Sequence, residues 1–227
     1  MGKITSDIVF PLSHAVFTPA AKAVIFFAKQ KNDNFDAGME FARSKVKNNK
    51  RQNIMLSKKI EEALNAQLNA EMWSAYLYMS MAAYCHANGN QGMGHWFEVQ
   101  FQEEQDHAKI LFNYIIQRGG RVELKAIAAV PTEWKSPLDV YESALAHEHK
   151  VTGLINNLFA LTTAENDYAT QSMLKWFVDE QVEEEENAQN IIDNLRMIKD
   201  NGYGLYMLDK ELSARTYVQA APLAQKA

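Results

Sequence analysis

The sequence predicts an all-α protein: a four-helix bundle with a long crossover between helices two and three, and a short fifth helix near the C-terminal end. Three observations carry that expectation. Four long stretches place apolar side chains three and four residues apart, the pattern of one buried helical face. Proline is scarce, five among 227 residues, whereas Ala, Leu, Glu and Gln abound, which favours helices over a sheet. The punctuation between the stretches runs short, long, short, as two antiparallel pairs joined by a crossover require.

The first helix begins after Ser57, a good N-cap, with Glu61 and Glu62 near the positive end of its dipole, and runs to about His86. Its inward stripe is Ile60, Leu64, Gln67, Glu71, Ala75, Tyr78 and Ala82. The glycine-rich turn at Asn88–Gly94 is too short to join anything but antiparallel neighbours. Helix two spans about 92–118, with Phe97, Gln100, Glu104, His107, Leu111 and Ile115 on one face, and Gly119-Gly120 stops it. Residues 119–136 form the crossover, whose apolar positions Val122, Leu124, Ile127 and Val130 predict that it lies along the bundle. Its length lets helix three run parallel to helix two.

Helix three covers about 138–164, with Tyr141, Ala144, Glu148, Val151, Ile155, Leu158 and Thr162 inside. Glu165-Asn-Asp167 turns the chain into helix four, about 168–200, whose stripe is Phe177, Gln181, Glu184, Ala188, Ile191 and Leu195. Gly202 and Gly204 are expected to break it before a fifth helix at 205–215. The tail 216–227 reads as too small and polar to pack, hence flexible. Domain boundaries follow: an extension at 1–54, the bundle at 55–215, and the tail.

The extension has two readings, a leader dispensable for folding or a helical arm that docks or recruits. Its charge sets it apart. Residues 1–53 hold nine Lys/Arg against four Asp/Glu, whereas the remainder holds fourteen against twenty-four. So acidic a body disfavours nucleic acid as a partner and suits a cation store. Cys85 is the only cysteine, which forbids an intrachain disulfide and fits a reducing compartment. No apolar run reaches the ~18–20 residues of a membrane span, so a cytoplasmic location is expected.

The chemistry lies in what interrupts the apolar stripes. Glu104 and His107, spaced E-x-x-H, share one face of helix two. Glu71, Glu148, and Gln181 with Glu184 bring matching groups from the other three helices. Burying several carboxylates together without a partner costs several kcal/mol each, and shared protons relieve only some of that. A cation resolves it. Carboxylates with one imidazole suit iron or manganese better than a structural zinc or a calcium. A carboxylate reaching two ions makes a dinuclear centre, in which two Fe(II) together supply dioxygen with two electrons. The known bundle template carries E-x-x-H on two helices; here the second is replaced by Gln181-x-x-Glu184.

These residues carry a family resemblance. From Met55 to about Gln219 the chain resembles bacterial non-haem ferritins, through Asn69-x-Glu71, Tyr78, Glu103-Glu104-x-x-His107, Glu148, the acidic run Asp179-Glu180-Gln181-x-Glu183-Glu184-Glu185, and GLYMLDKELS at 204–213. The resemblance implies a hollow shell of twenty-four subunits that oxidises Fe(II) with dioxygen or hydrogen peroxide and stores a ferric oxyhydroxide mineral. It assigns Glu71, Glu104 and His107 to a first iron and Glu104, Glu148 and Glu184 to a second, with Gln181 lining the pair. It also implies a third iron position held by Glu103, Glu180, Glu183 and Glu184. Haem is not expected, because helix four lacks E-x-x-H. One cysteine excludes a rubrerythrin-like electron-transfer module, and intrachain ligands disfavour the DNA-protecting miniature cages. The competing class is a cage that nucleates mineral without oxidase activity. Tyr78 is expected to hydrogen-bond a carboxylate. His147 and His149 are expected to pack or face solvent, and the Met and Trp residues to fill the core.

Overall fold

The computed structural model describes residues 55–224; the expectations for 1–54 and 225–227 lie outside them. Among the described residues there is no strand. The helices are α1 (Lys58–Ala87), α2 (Gln91–Gln117), α3 (Pro137–Ala164), α4 (Tyr168–Ile198), α5 (Gly202–Leu212) and the single turn α6 (Ala221–Ala224). The first four form the bundle, each about 40–45 Å long at 1.5 Å per residue.

Capping fixes where they start. Ser57 Oγ accepts from the Ile60 amide at 3.3 Å, and Ser136 Oγ from Asp139 at 3.2 Å, with Pro137 as the first helical residue. Asp167 Oδ1 accepts from Thr170 N at 3.1 Å. Helix α2 has no side-chain cap of its own at Asn90. A distant carboxylate does that work: Asp209 Oδ1, on α5, accepts from the Met93 amide at 2.9 Å. The approach is so close that a Cβ on Gly92 would stand 1.6 Å from the Asp209 carbonyl oxygen, so only glycine fits there.

Cross-helix contacts give the topology. Arg118 at the end of α2 grips Asp167 at the start of α4 through two N–H···O bonds of 3.0 Å, while Gln100 reaches Glu184 at 2.8 Å, so α2 and α4 are antiparallel. Ser74 meets His147 at 2.7 Å, and Lys59 meets Glu165 at 3.1 Å, so α3 opposes α1 and runs parallel to α2. The crossover makes this possible by climbing α1. Asn65 and Asn69 donate to the Arg121 and Glu123 carbonyls, Ser80 to Pro131 and Tyr84 to Trp134. It stays irregular because those α1 side chains satisfy backbone groups that would otherwise need a ladder.

Every residue assigned to the four inward stripes is buried. The core has two apolar clusters. One gathers Tyr78, Met81, Met93, Phe97, Tyr141 and Ile192 toward the α1–α2 turn. The other gathers Ile60, Leu64, Leu111, Ile115, Ile155 and Phe177 toward the opposite end. A charged layer separates them.

Two expectations need correction. Helix α5 starts at Gly202, not 205, and both glycines lie inside it. The break is at Lys199, which adopts φ +50, and Asn201 then caps α5 by accepting from Tyr203 and Gly204 amides at 3.1 Å. Gly204 is there for contact, since its missing Cβ would press on Ile198 at 3.0 Å. The tail, expected to hang free, packs over its described part. Tyr217 Oη donates to Asp106 Oδ2 at 2.6 Å, the Ala220 amide donates to the same oxygen at 2.9 Å, and Ala220 and Leu223 rest on the second apolar cluster.

Candidate metal centre

The charged layer is built from one or two turns of each bundle helix. Steps of three and four residues put Gln67 and Glu71 of α1, Gln100, Glu104 and His107 of α2, Glu148 of α3, and Gln181 and Glu184 of α4 at one height between the apolar clusters. All eight side chains are buried.

Two overlapping sets of potential ligands form there. Oxygen or nitrogen atoms of Glu71, Glu104 and His107 lie within 4.8 Å of one another, and so do those of His107, Glu180 and Glu184. His107 is common to both: its Nδ1 stands 3.4 Å from Glu104 Oε2 and its Nε2 3.9 Å from Glu180 Oε1. The edges of Trp176 and Phe177, at ring-centroid distances of 5.3 and 5.9 Å, wall its ring.

Around these groups the amides act as holders. Gln67 Nε2 donates to Glu71 Oε1 at 2.8 Å, and Gln100 Nε2 to Glu184 Oε2 at 2.8 Å. Glu148 is fixed on both sides, by the Tyr78 hydroxyl on Oε1 and by Gln181 Nε2 on Oε2 at 3.1 Å. Each holder takes one carboxylate oxygen and leaves the other. Glu71 Oε2 and Gln100 Oε1 are buried without a hydrogen-bond partner, and Glu104 Oε2 has only the 3.4 Å approach of His107 Nδ1, a costly arrangement for acceptors unless a ligand completes it.

The protonation pattern agrees. Burial, reinforced by Glu104, pushes the Glu71 carboxyl up to about 8, and burial with Glu104 brings Glu184 to about 7. Burial also lifts Glu148 well above the carboxylate range, with Glu184 adding to it. For His107 burial works the other way, but Glu104, Glu71 and Glu184 overcome it and raise the imidazole to about 10. The pocket is starved of positive charge and borrows protons.

The sequence-derived residues do not all converge. Glu71, Glu104, His107 and Glu184 do. Gln181 serves Glu148 and accompanies Thr152 at 3.2 Å, and Glu148, whose two oxygens accept from Tyr78 and Gln181, is in neither ligand set. Of the four residues expected at a third position, Glu180 joins the second set with Glu184, Glu183 faces solvent, and Glu103 is paired with Arg215 at 2.6 Å. Tyr78 bonds a carboxylate as expected. His147 packs between Trp73 and Tyr78 and meets Ser74, while exposed His149 pairs with Glu185 at 3.2 Å. The holding roles of Gln67 and Gln100 escaped sequence reasoning, although both lay on the inward stripes; for Gln67 the available signal was its place one turn from Glu71, whereas Gln100 holds Glu184 on another helix.

A bundle of four long helices closed around a carboxylate–histidine pocket defines a class of metal-handling helical proteins, and comparison with known proteins narrows it. Residues 61–198 match the family model described as "Ferritin-like domain". The chain is similar to a bacterial non-heme ferritin of Bacteroides fragilis, 44% identical over 161 residues, covering 71% of this chain and 100% of that one. It is similar to one from Staphylococcus aureus at 42% identity over 163 residues, 72% and 98% covered. Among solved structures, an engineered closed form of the Archaeoglobus fulgidus ferritin superposes with a TM-score of 0.71 at 47% identity, covering 72% of this chain and 99% of that one. The open-pore ferritin of that archaeon superposes with a TM-score of 0.70 at 47% identity, covering 71% and 98%. The chain belongs to the ferritin family.

Proposed function

We propose that this protein stores iron, and that each subunit oxidises Fe(II) to Fe(III) at the pocket between its four helices before the product is deposited as ferric oxyhydroxide inside a shell of identical subunits. The observation that carries the reading is the convergence of Glu71, Glu104 and His107 within 4.8 Å, with Glu71 Oε2 buried and without a hydrogen-bond partner. Fe(II) is here the substrate. Hard carboxylate oxygens with one imidazole nitrogen suit it, and the vacant acceptors supply what it lacks. The family membership and the names of the relatives support storage. A shell of twenty-four copies is the assembly the family likeness favours.

The residues' work follows from their geometry. Entry of a ferrous ion expels the protons that Glu71, Glu184 and His107 hold in its absence, so binding is linked to proton release. Gln67 and Gln100 each pin one oxygen of their acid, which leaves the other aimed at the ion. Trp176 and Phe177 pack T-shaped against the His107 ring and exclude water from it. Two ferrous ions lying together supply two electrons to dioxygen or peroxide at one visit, and Tyr78 and Gln181 hold Glu148 in place beside them. With Gln181 where a second histidine could stand, the pocket grips Fe(III) weakly, which favours transfer onward to the mineral.

Aerobic oxidation of Fe(II) by the purified protein tests this, alongside Glu104→Ala and His107→Ala. The parent should show rapid colour development, and both variants should lose about 100-fold or more in initial rate, at or beyond the range found when groups that orient a metal ligand are removed. Equal initial rates in all three proteins would reject the oxidase and leave a mineral-nucleating cage.

A further inference from the structure

A reactant bound for the pocket has to pass between helices, because an apolar cluster closes the bundle on either side of the charged layer. The α1–α3 seam is bridged by Ser74 and His147 at 2.7 Å, with Trp73 packed on the His147 ring. The α3–α4 seam is different. There a cleft of about 170 Å³ is lined by Thr152 and Ile155 of α3 and by Val178, Gln181, Val182 and Glu185 of α4. A single water needs about 10–15 Å³ of such space, so several small molecules fit. The lining runs from Val182, 67% exposed, to Gln181, 4% exposed.

Gln181 is the partition between cleft and pocket. Its amide nitrogen donates to Glu148 Oε2 at 3.1 Å on the pocket side and to Thr152 Oγ1 at 3.2 Å on the cleft side. The Thr152 hydroxyl in turn donates to Glu185 Oε1, and Glu185 Oε2 meets the exposed His149 at 3.2 Å. The polar groups of the cleft are thus tied to one another, and Ile155, Val178 and Val182 make the rest of the wall apolar. Val178 and Val182 stand one turn apart on the same face of α4.

We infer that this α3–α4 cleft admits the oxidant, a small neutral molecule (dioxygen or hydrogen peroxide), to the pocket past Gln181, with Val178 and Val182 setting its width. This rests on the proposed function, in that it assumes the pocket holds Fe(II) to be oxidised. A ferrous ion is a poor occupant of the cleft. Against the apolar wall it would lose hydration that nothing there replaces, and the one carboxylate, Glu185, is already held by Thr152 and His149. The ion has ligands elsewhere, in the set His107, Glu180 and Glu184. A neutral oxidant meets no such desolvation penalty, and peroxide can exchange hydrogen bonds with Thr152 and Gln181 as it passes.

The test loads the full chain with Fe(II) anaerobically and then mixes it, by stopped flow, with dioxygen in one arm and hydrogen peroxide in the other. Val178→Phe fills the cleft and Val182→Trp covers its mouth, while Leu154→Phe, exposed on α3 and not part of the lining, is the control. Both cleft variants should bind Fe(II) as the parent does, and their second-order rate with the oxidant should fall about tenfold. The plateau rate at saturating peroxide should stay unchanged, since entry and not chemistry is obstructed. A fall in one arm alone supports the inference and identifies the oxidant that uses the cleft. Unchanged second-order rates in both arms for both variants would overturn it, as would an equal fall in Leu154→Phe. Slower Fe(II) loading with parent-like oxidation once loaded would overturn it too, by making the cleft a path for ions. If Val178→Phe does not fold, Val182→Trp alone decides. Failure of the underlying function looks different: the parent itself would bind no tight Fe(II), or would oxidise it in neither arm.

Discussion

The middle of this bundle and its two ends are made of the same four helices and behave in opposite ways. The ends are packed for their own sake. Around Phe97, rings stack at 4.8 Å with Tyr141 and 5.9 Å with Tyr78, and at the other end Leu64, Leu111 and Ile115 are completely buried. Nothing there lacks a partner except the Tyr141 hydroxyl. The middle holds four acids and a histidine at the same depth, with carboxylate oxygens left over. Apolar burial stabilises by about 25 cal/mol per Å², whereas buried unpaired acceptors cost about 1–3 kcal/mol each. The ends thus carry the folding of the chain, and the middle is a strained layer they can tolerate.

Substitutions should separate the two regions. Leu64→Ala empties a fully enclosed position at one end, two turns from Glu71. It should lower stability by about 2–5 kcal/mol, read as a fall in the denaturation midpoint, while the oxidation rate per folded subunit changes little. A loss of activity as large as that of Glu104→Ala would mean that the end and the centre are not separable.

The charged layer should respond in the other direction, and its response depends on pH. Glu71, Glu184 and His107 sit at about 8, 7 and 10, against ordinary values of 4.5, 4.5 and 6.5. All three are raised, so between those limits the folded protein holds protons that the unfolded chain has released. Stability is then fullest at the acid end and is lost as pH rises through the folded values. The metal-free protein should therefore melt at a lower temperature at about pH 9 than at about pH 6. Added Zn(II), a redox-silent stand-in, should restore more at the higher pH. Glu71→Gln should flatten the decline, since it keeps an acceptor for Gln67 and deletes one titrating acid. A midpoint that climbs over this range in the parent would show the layer to be no burden.

The same contrast explains what the sequence disclosed. Stripes of period 3.6 report burial whatever the residue type, so Glu71, Glu104, His107, Glu148, Gln181 and Glu184 were legible as inward-facing positions, and Ser57 marked the start of the first helix. What stayed hidden depends on groups distant in the chain. Asp209 caps α2 from 116 residues away and Arg215 meets Glu103 across 112, and no local pattern encodes either. The tail was misjudged for that reason: its polarity is real, but Asp106 supplies the partners. Lys199 in the left-handed region was hidden because the glycines beside it looked like the better break.

The smallest effect should come from removing residues 1–53. Every group of the pocket lies between Gln67 and Glu184, and the curated relatives match this chain across 98–100% of their own length while covering only 71–72% of it. The capping, crossover and apolar clusters described above likewise lie within 55–224. If the ends stabilise and the middle binds, the basic extension contributes to neither. Truncation should leave the initial oxidation rate within about twofold and the denaturation midpoint within about 2–4 °C, the shift expected of 1 kcal/mol in a domain this size. A tenfold loss of rate with an unchanged midpoint would instead make the extension part of iron delivery, its positive charge acting on the acidic body from outside the pocket.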